Sequence, residues 1–189
     1  MKAMWQMWSG LLPAETCDEI IATALTLPEQ EARVGMLRGQ GVDRTIRRSE
    51  IRWIEDWHED FAEVRTFMKR KFEEANANAF GADISFFRNI QFTTYNGNNV
   101  GHYDWHEDIF WESDSVLDRK LSMVIQLSDP SDYEGGDLEF QWHDIPAKED
   151  LRKRGTIVVF PSFLKHRVTP VTNGIRHSMV SWMEGPRWR

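Results

Sequence analysis

The sequence holds one cysteine, Cys17, in 189 residues. A single thiol cannot close an internal disulfide, supply a CxxC redox pair or build a cysteine zinc site. A cytoplasmic location is therefore expected. Positive charge is also short, with Lys+Arg 23 against Asp+Glu 30 and a formal net charge of -7. Gripping nucleic acid takes clustered positive charge along the phosphates, so no nucleic-acid partner is expected. Long apolar runs are missing. No window approaches the ~20 apolar residues of a membrane span, and Met1–Leu12 lacks the apolar region of a secretory leader. Membrane partners are excluded on the same reading. Linkers, low-complexity tracts and long repeats are absent. What is plentiful is tryptophan, 9 residues, in a chain that is 41% hydrophobic. That is enough to bury a sizeable core, and one domain over residues 1–189 is expected.

The character of the chain changes near residue 85. Leu12-Pro13-Ala14-Glu15 reads as a helix start, with proline at the first turn and acids at the positive end of the dipole. Cys17, Ile20, Ile21, Ala24 and Leu25 then form one apolar stripe, closed by Pro28. Trp53, Trp57, Phe61, Val64, Phe67, Met68 and Phe72 form a second, at steps of three and four. After residue 85 the pattern becomes strand-like. Strands are expected near Ile90–Tyr95, Gly101–His106, Leu121–Leu127, Asp137–Gln141, Thr156–Phe160, His166–Val171 and Arg176–Glu184. Asn96-Gly97-Asn98-Asn99, Asp129-Pro130-Ser131-Asp132, Glu134-Gly135-Gly136 and Thr172-Asn173-Gly174 read as turns. Seven or eight short strands at this spacing suggest a β-sandwich or jelly roll. With helices first, the class is α+β: a helical support over about 1–85 covers one sheet of a β core over about 86–189.

Six histidines are present: His58, His102, His106, His143, His166 and His177. Gly101-His102-Tyr103-Asp104-Trp105-His106-Glu107-Asp108 sets two of them two residues before an acid. On a strand such residues share a face, so His-x-Asp can close on one ion. With a distant histidine the set becomes two imidazoles and a carboxylate, which suits Fe(II) and leaves positions open for a chelating cosubstrate and oxygen. Trp57-His58-Glu59-Asp60 repeats the Trp105–Asp108 letters within the helical stripe. There the same spacing points the two side chains apart, and a solvated face is expected. Farther on, Arg176 and Ser178 share a strand face ten residues after His166. Together they could clamp a carboxylate through charge-assisted hydrogen bonds.

These residues together resemble the Fe(II)/2-oxoglutarate-dependent dioxygenases, specifically the prolyl 4-hydroxylase-like branch. The similarity also runs through Tyr95, Arg119-Lys120-Leu121-Ser122, Gln126-Leu127-Ser128, Tyr133-Glu134-Gly135-Gly136-Asp137-Leu138 and His166-Arg167-Val168-Thr169-Pro170-Val171. Ile46-Arg47-Arg48-Ser49 with Trp53 is similar to that family's lead into its second helix. The resemblance implies a double-stranded β-helix, a jelly-roll barrel with the N-terminal helices packed on one sheet. It implies His106, Asp108 and His166 as ligands of Fe(II), and Arg176 as the anchor of the distal carboxylate of 2-oxoglutarate, with Ser178 and Tyr95 as helpers. Family spacing favours His106-x-Asp108 over the rival His102-x-Asp104 on the same strand face. Some relatives carry a tyrosine where this chain has Gln126, which could still donate a hydrogen bond inward. His177 should face away from Arg176, and Met179 and Met183 should pack under the helices.

The implied reaction consumes O2 and 2-oxoglutarate, releases succinate and CO2, and hydroxylates prolyl residues of a peptide or protein; ascorbate is expected to stimulate it. His102, Asp104, Trp105, Trp111 and Trp142 are candidate substrate residues around the opening, since extended proline-containing peptides dock on aromatic faces. The segments Arg33–Asp43 and Ile109–Asp118 are the candidate substrate loops. Another substrate for the same chemistry, or a non-catalytic domain binding metal or 2-oxoglutarate, is the alternative. Nucleic-acid demethylation is disfavoured, because that branch's second arginine would fall on Trp182. A zinc hydrolase would leave the carboxylate clamp without a purpose.

Overall fold

The computed structural model describes residues 3–32 and 41–188. Its elements run β1 (Gln6–Trp8), α1 (Ala14–Leu25), β2 (Gln30–Glu31), β3 (Arg47–Arg48), β4 (Glu50–Ile54), α2 (Ala62–Ala75), β5 (Phe86–Phe87), β6 (Ile90–Asn96), β7 (His102–His106), β8 (Leu117–Gln126), β9 (Tyr133–Gly135), β10 (Leu138–Phe140), α3 (Lys148–Arg152), β11 (Ile157–Pro161), β12 (His166–Val168) and β13 (Val171–Pro186). Two sheets result. The larger has the order β1-β11-β8-β13-β6-β4-β2, with β5 and β9 also on β13; the smaller is β10-β12-β7-β3. All the pairings are antiparallel. This is the jelly-roll, double-stranded β-helix architecture expected from the sequence.

Strand alternation divides the interior into two cores. On β8, Leu121, Met123 and Ile125 point out of the barrel, and on β11 so do Ile157 and Val159. They meet Cys17, Ile20 and Ala24 of α1 and Met68, Phe72 and Ala75 of α2. Met179 and Met183 lie in this layer, as expected. The intervening residues, among them Val124, Val158 and Phe160, face into the barrel with Tyr95, Tyr133, Phe140 and Val168. Each fully buried aliphatic or aromatic side chain is worth roughly 1.5–3 kcal/mol, so these two layers hold the sheets together.

Pro13 occupies the cap position of α1 and Glu15 its first turn. Leu25, expected in the apolar stripe, is instead exposed at the helix end. The second stripe is overturned at its start. Trp53 lies on β4, between β6 and the edge strand β2 of the large sheet, and Trp57 is 72% exposed in the turn that follows. Only from Phe61 onward does the periodicity belong to a helix. His58 sits in that turn rather than on a helix, its Nδ1 accepting from the Glu55 amide at 2.8 Å. Residues before 85 are thus more than helical support, since β1 to β4 all join the sheets. Thr172-Asn173-Gly174, expected as a turn, lies within β13, where it pairs with β9 across a register shift. Glu134 and Gly135, also expected in a turn, form part of β9.

Candidate metal centre and its cavity

A cavity of about 430 Å³ opens between the sheets. His106, Asp108 and His166 meet on its wall, with ligand atoms all within 4.8 Å of one another. His106 Nε2 lies 3.8 Å from Asp108 Oδ1, and His166 Nε2 lies 3.7 Å from Asp108 Oδ2. His106 and His166 are opposite each other on β7 and β12, and the amide of Asp108, just past β7, donates to Ser162 O at 2.8 Å.

The tautomers follow from the backbone. His106 Nδ1 is 2.8 Å from Asp104 O, and His166 Nδ1 is 2.8 Å from Leu164 O. A carbonyl can only accept, so each Nδ1 carries a proton and each Nε2 lone pair is left for a cation. Burial, reinforced by the His166 imidazole, pulls the pKa of His106 down to about 3. Burial pushes that of Asp108 up, but His166, His106, Arg119 and the Ser122 hydroxyl outweigh it and hold the carboxyl at about 2. Near pH 7 His106 is neutral and Asp108 ionised, the states a divalent ion requires. Ser122 Oγ donates to Asp108 Oδ2 at 2.6 Å and lies 2.9 Å from Ser162 Oγ.

Arg176 and Ser178 line the same cavity from β13, and Tyr95 from β6. Arg176 is 2% exposed, and its Nη1 has no hydrogen-bond partner among the described residues. A buried guanidinium without an acceptor is costly, and the cavity beside it is where an anion would satisfy it. Gly136 leaves room for its stem, since a Cβ there would lie 3.0 Å from Arg176 Cδ. His177 points the other way, onto Phe92 and Thr94 Oγ1.

Other expectations are corrected. His102 and Asp104 do not share the face of His106. In the pairing of β7 with β12, Tyr103 stands opposite Val168 and His106 opposite His166, so three steps on one strand match two on the other. This β-bulge turns His106 inward beside Tyr103 and leaves His102 and Asp104 out. Both ring nitrogens of His102 lie near backbone carbonyls, those of Val100 and Thr45. Gln126 does not line the cavity. Its Nε2 donates to Ser128 O and Tyr133 Oη, and its Oε1 has no partner among the described residues. Trp105 lies under Arg167 on the outer face, and Trp142 beside His143. Trp111 is at the rim, its Nε1 donating to Glu107 Oε2 at 3.0 Å. Of the expected substrate loops, residues 33–40 lie outside the described residues.

Among the cavity residues that were not expected there are Arg47, Tyr103, Arg119 and Trp182. Tyr103 stacks on His106 with ring centroids 3.4 Å apart, and the Arg47 guanidinium lies over the Tyr103 ring at 4.4 Å. Arg119 lies 3.8 Å over the Trp182 ring. A second bulge places it: on β8, Ser122 faces Trp182 and Arg119 faces Glu184, again three residues against two.

Comparison with known proteins is consistent with this geometry. Residues 90–184 match the 2OG-Fe(II) oxygenase superfamily. A PKHD-type hydroxylase of Synechococcus sp. (strain CC9311) is 41% identical over 85 residues, 44% of this chain and 37% of that relative. One of Shewanella sp. (strain MR-7) is 33% identical over 94 residues, 49% of this chain and 41% of the relative. The chain thus spans well under half the length of these relatives. Among solved structures, a Pseudomonas putida prolyl-4-hydroxylase superposes with a TM-score of 0.73 at 23% identity, covering 97% of this chain and 94% of that one. A Trichoplax adhaerens prolyl hydroxylase, in complex with a hypoxia inducible factor peptide fragment, gives 0.74 at 16% identity over 95% and 83%.

Proposed function

Because the chain belongs to the 2OG-Fe(II) oxygenase superfamily, we propose that it hydroxylates prolyl residues of a peptide or protein, with Fe(II) held by His106, Asp108 and His166. One observation carries this reading. The two-histidine, one-carboxylate cluster and a buried, unpartnered guanidinium, Arg176, face the same cavity. Two nitrogens and one oxygen from three residues leave coordination positions open, as Fe(II) oxygenases need. The distal carboxylate of 2-oxoglutarate pairs with Arg176, assisted by Ser178 and the Tyr95 hydroxyl. Bound together, Fe(II) and 2-oxoglutarate supply the oxidative decarboxylation to succinate and CO2 that is coupled to hydroxylation.

The residues of the chain do the positioning. Asp104 O and Leu164 O fix the imidazole tautomers, and Ser122 with Ser162 fixes the carboxylate. Tyr103, which burial pushes up to about 12 and so keeps protonated, packs over His106. Val124, Val180 and Leu138 line the cavity with apolar surface that limits water.

Removing Ser122's hydroxyl tests the positioning. Ser122→Ala is expected to weaken Fe(II) or Mn(II) binding roughly 10–100-fold, the usual cost of losing a ligand's hydrogen-bond partner, as read by anaerobic calorimetry. An unchanged affinity would show the carboxylate to be held without it. For the function as a whole, succinate is measured with Fe(II), 2-oxoglutarate and ascorbate, with and without proline-containing peptides. Succinate rising with peptide, together with one added oxygen atom on proline, is expected. Succinate indifferent to every peptide would keep the oxygenase and remove the prolyl substrate.

A further inference from the structure

We infer that the cavity end beyond the metal cluster selects a substrate bearing a carboxylate next to the residue that is hydroxylated. This rests on the proposed oxygenase reading and adds the chemistry of the substrate.

The cationic groups of the cavity are divided between its two ends. Along β13 the inward residues are Arg176, Ser178, Val180 and Trp182, so Arg176 and Trp182 stand about 20 Å apart at ~3.4 Å per residue. Asp108 belongs to the Trp182 end. Its carboxylate is tied to Ser122, which pairs with Trp182 across the sheet. At this end Arg119 lies on Trp182, with Nη1 3.4 Å from Asp108 O. Across the cavity Arg47 lies on Tyr103. Each guanidinium thereby sits over an aromatic ring, one from each sheet.

Asp108 and Glu184 lie within electrostatic reach of Arg119, yet neither guanidinium is paired with an acid among the described residues. Residues 33–40 contain no acidic side chain that could supply one. The acids on the cavity wall are engaged elsewhere. Glu31 pairs with Arg44, Glu107 accepts from Trp111, and Asp108 belongs to the metal cluster. A further donor is stranded here: Trp182 Nε1 is buried and has no partner among the described residues. The hydrogen bonds these two guanidiniums do make go to neutral acceptors, Ser49 Oγ for Arg47 and Asp108 O for Arg119, so with the unpartnered indole N–H they offer a substrate anion charged donors on one side of the metal cluster.

A single 2-oxoglutarate cannot serve both ends, since its distal carboxylate is committed to Arg176 while Arg119 lies past Asp108. The second anion therefore belongs to the substrate. Two sources share this chemistry: an Asp or Glu side chain beside the proline, or the free carboxylate of a proline-ending peptide.

The test uses protein loaded with Fe(II) and 2-oxoglutarate and kept anaerobic, with peptide binding read by tryptophan fluorescence. Blocked proline peptides carrying Asp or Glu next to proline are compared with their Asn and Gln counterparts, and a neutral peptide with a free C-terminus with its amide. At least roughly tenfold tighter binding is expected for one carboxylate peptide over its amide, the scale of a charge-assisted hydrogen bond. Whichever arm shows it names the source. Arg119→Gln, saturated with Fe(II), should bring the ratio to within about twofold, while calorimetry shows a far smaller loss of 2-oxoglutarate affinity than in an Arg176 variant. Arg47→Gln provides a second arm should Arg119→Gln not fold, and Arg119→Lys should retain part of the preference.

Equal binding of carboxylates and amides by the parent overturns the inference, as does a preference that survives both glutamine variants. A loss of 2-oxoglutarate affinity in Arg119→Gln as large as that in an Arg176 variant would assign the residue to the cosubstrate, and also overturns it. Failure of the parent to bind 2-oxoglutarate, visible before any peptide is added, would instead sink the oxygenase reading itself.

Discussion

Replacing Asp108 with alanine is expected to end 2-oxoglutarate turnover, a fall of at least about a thousandfold, while the protein stays folded. Asp108 supplies the only carboxylate of the cluster, and without it only the two imidazoles remain. Loss of an outer hydrogen-bond partner already costs roughly 10–100-fold in metal affinity, and loss of a charged ligand costs more. The fold should survive because Asp108 sits just past the end of β7 and its backbone bond to Ser162 O does not involve the side chain. Asp108→Asn separates charge from shape. It keeps the volume and can still accept from Ser122, yet lacks the negative charge, so it should be nearly as inactive. Succinate release, calorimetric metal affinity and circular dichroism are read together. Loss of the β-sheet signal in both variants would make Asp108 a structural residue, and substantial turnover in Asp108→Asn would remove it from the metal.

Arg176→Met is expected to raise the 2-oxoglutarate requirement without a comparable change in metal affinity. Truncating one side of a buried, hydrogen-bonded charge pair costs about 2–5 kcal/mol, or roughly thirtyfold to several thousandfold in KM. Arg176→Lys keeps the charge but not the planar fork and should fall between the two. The sign of the stability change adds an independent readout. In the ligand-free protein the guanidinium is buried with Nη1 unpartnered, so replacing it with an apolar side chain of similar length should leave the melting temperature unchanged or raise it. The parent should gain stability as 2-oxoglutarate is added, by RT ln(1 + [L]/Kd), and the methionine variant should not. Equal losses of metal and 2-oxoglutarate affinity would count against the assigned role.

Much of this was legible in the sequence because alternation holds wherever a strand separates a dry core from the cavity. Leu121, Met123 and Ile125 against Ser122 and Val124 is such a case, and there the expected Leu121–Leu127 overlaps the observed Leu117–Gln126, which starts earlier, beyond the bulge. Reading failed where that contrast disappears. On β4 the cavity side carries the apolar Ile51 and Trp53 while the other side mixes Arg52 with Ile54, so neither face reads as solvated and a helical period could be drawn through Trp53. The bulges are the second cause. One extra residue on β7 and one on β8 reverse the facing of everything beyond them, which hid Arg119 and put His102 on the wrong face. The tyrosine missing at Gln126 shows the same limit. A phenol does reach that side chain, but from Tyr133 on β9, which strand spacing alone could not align with β8.

β13 pairs with β5, β6, β8 and β9, and it follows all of them in the chain. A polypeptide emerging in order from the ribosome therefore holds β6 and β8 without their shared neighbour until residues 171–186 have been made. Pairing across such long sequence separations is slow, because loop closure must precede any gain from burial. Until then two apolar strand edges stand open, the kind of exposure that draws aggregation or chaperones. The strand that carries Arg176, the proposed carboxylate anchor, is thus made after every strand it pairs with, so the anchor and the closed barrel arrive together.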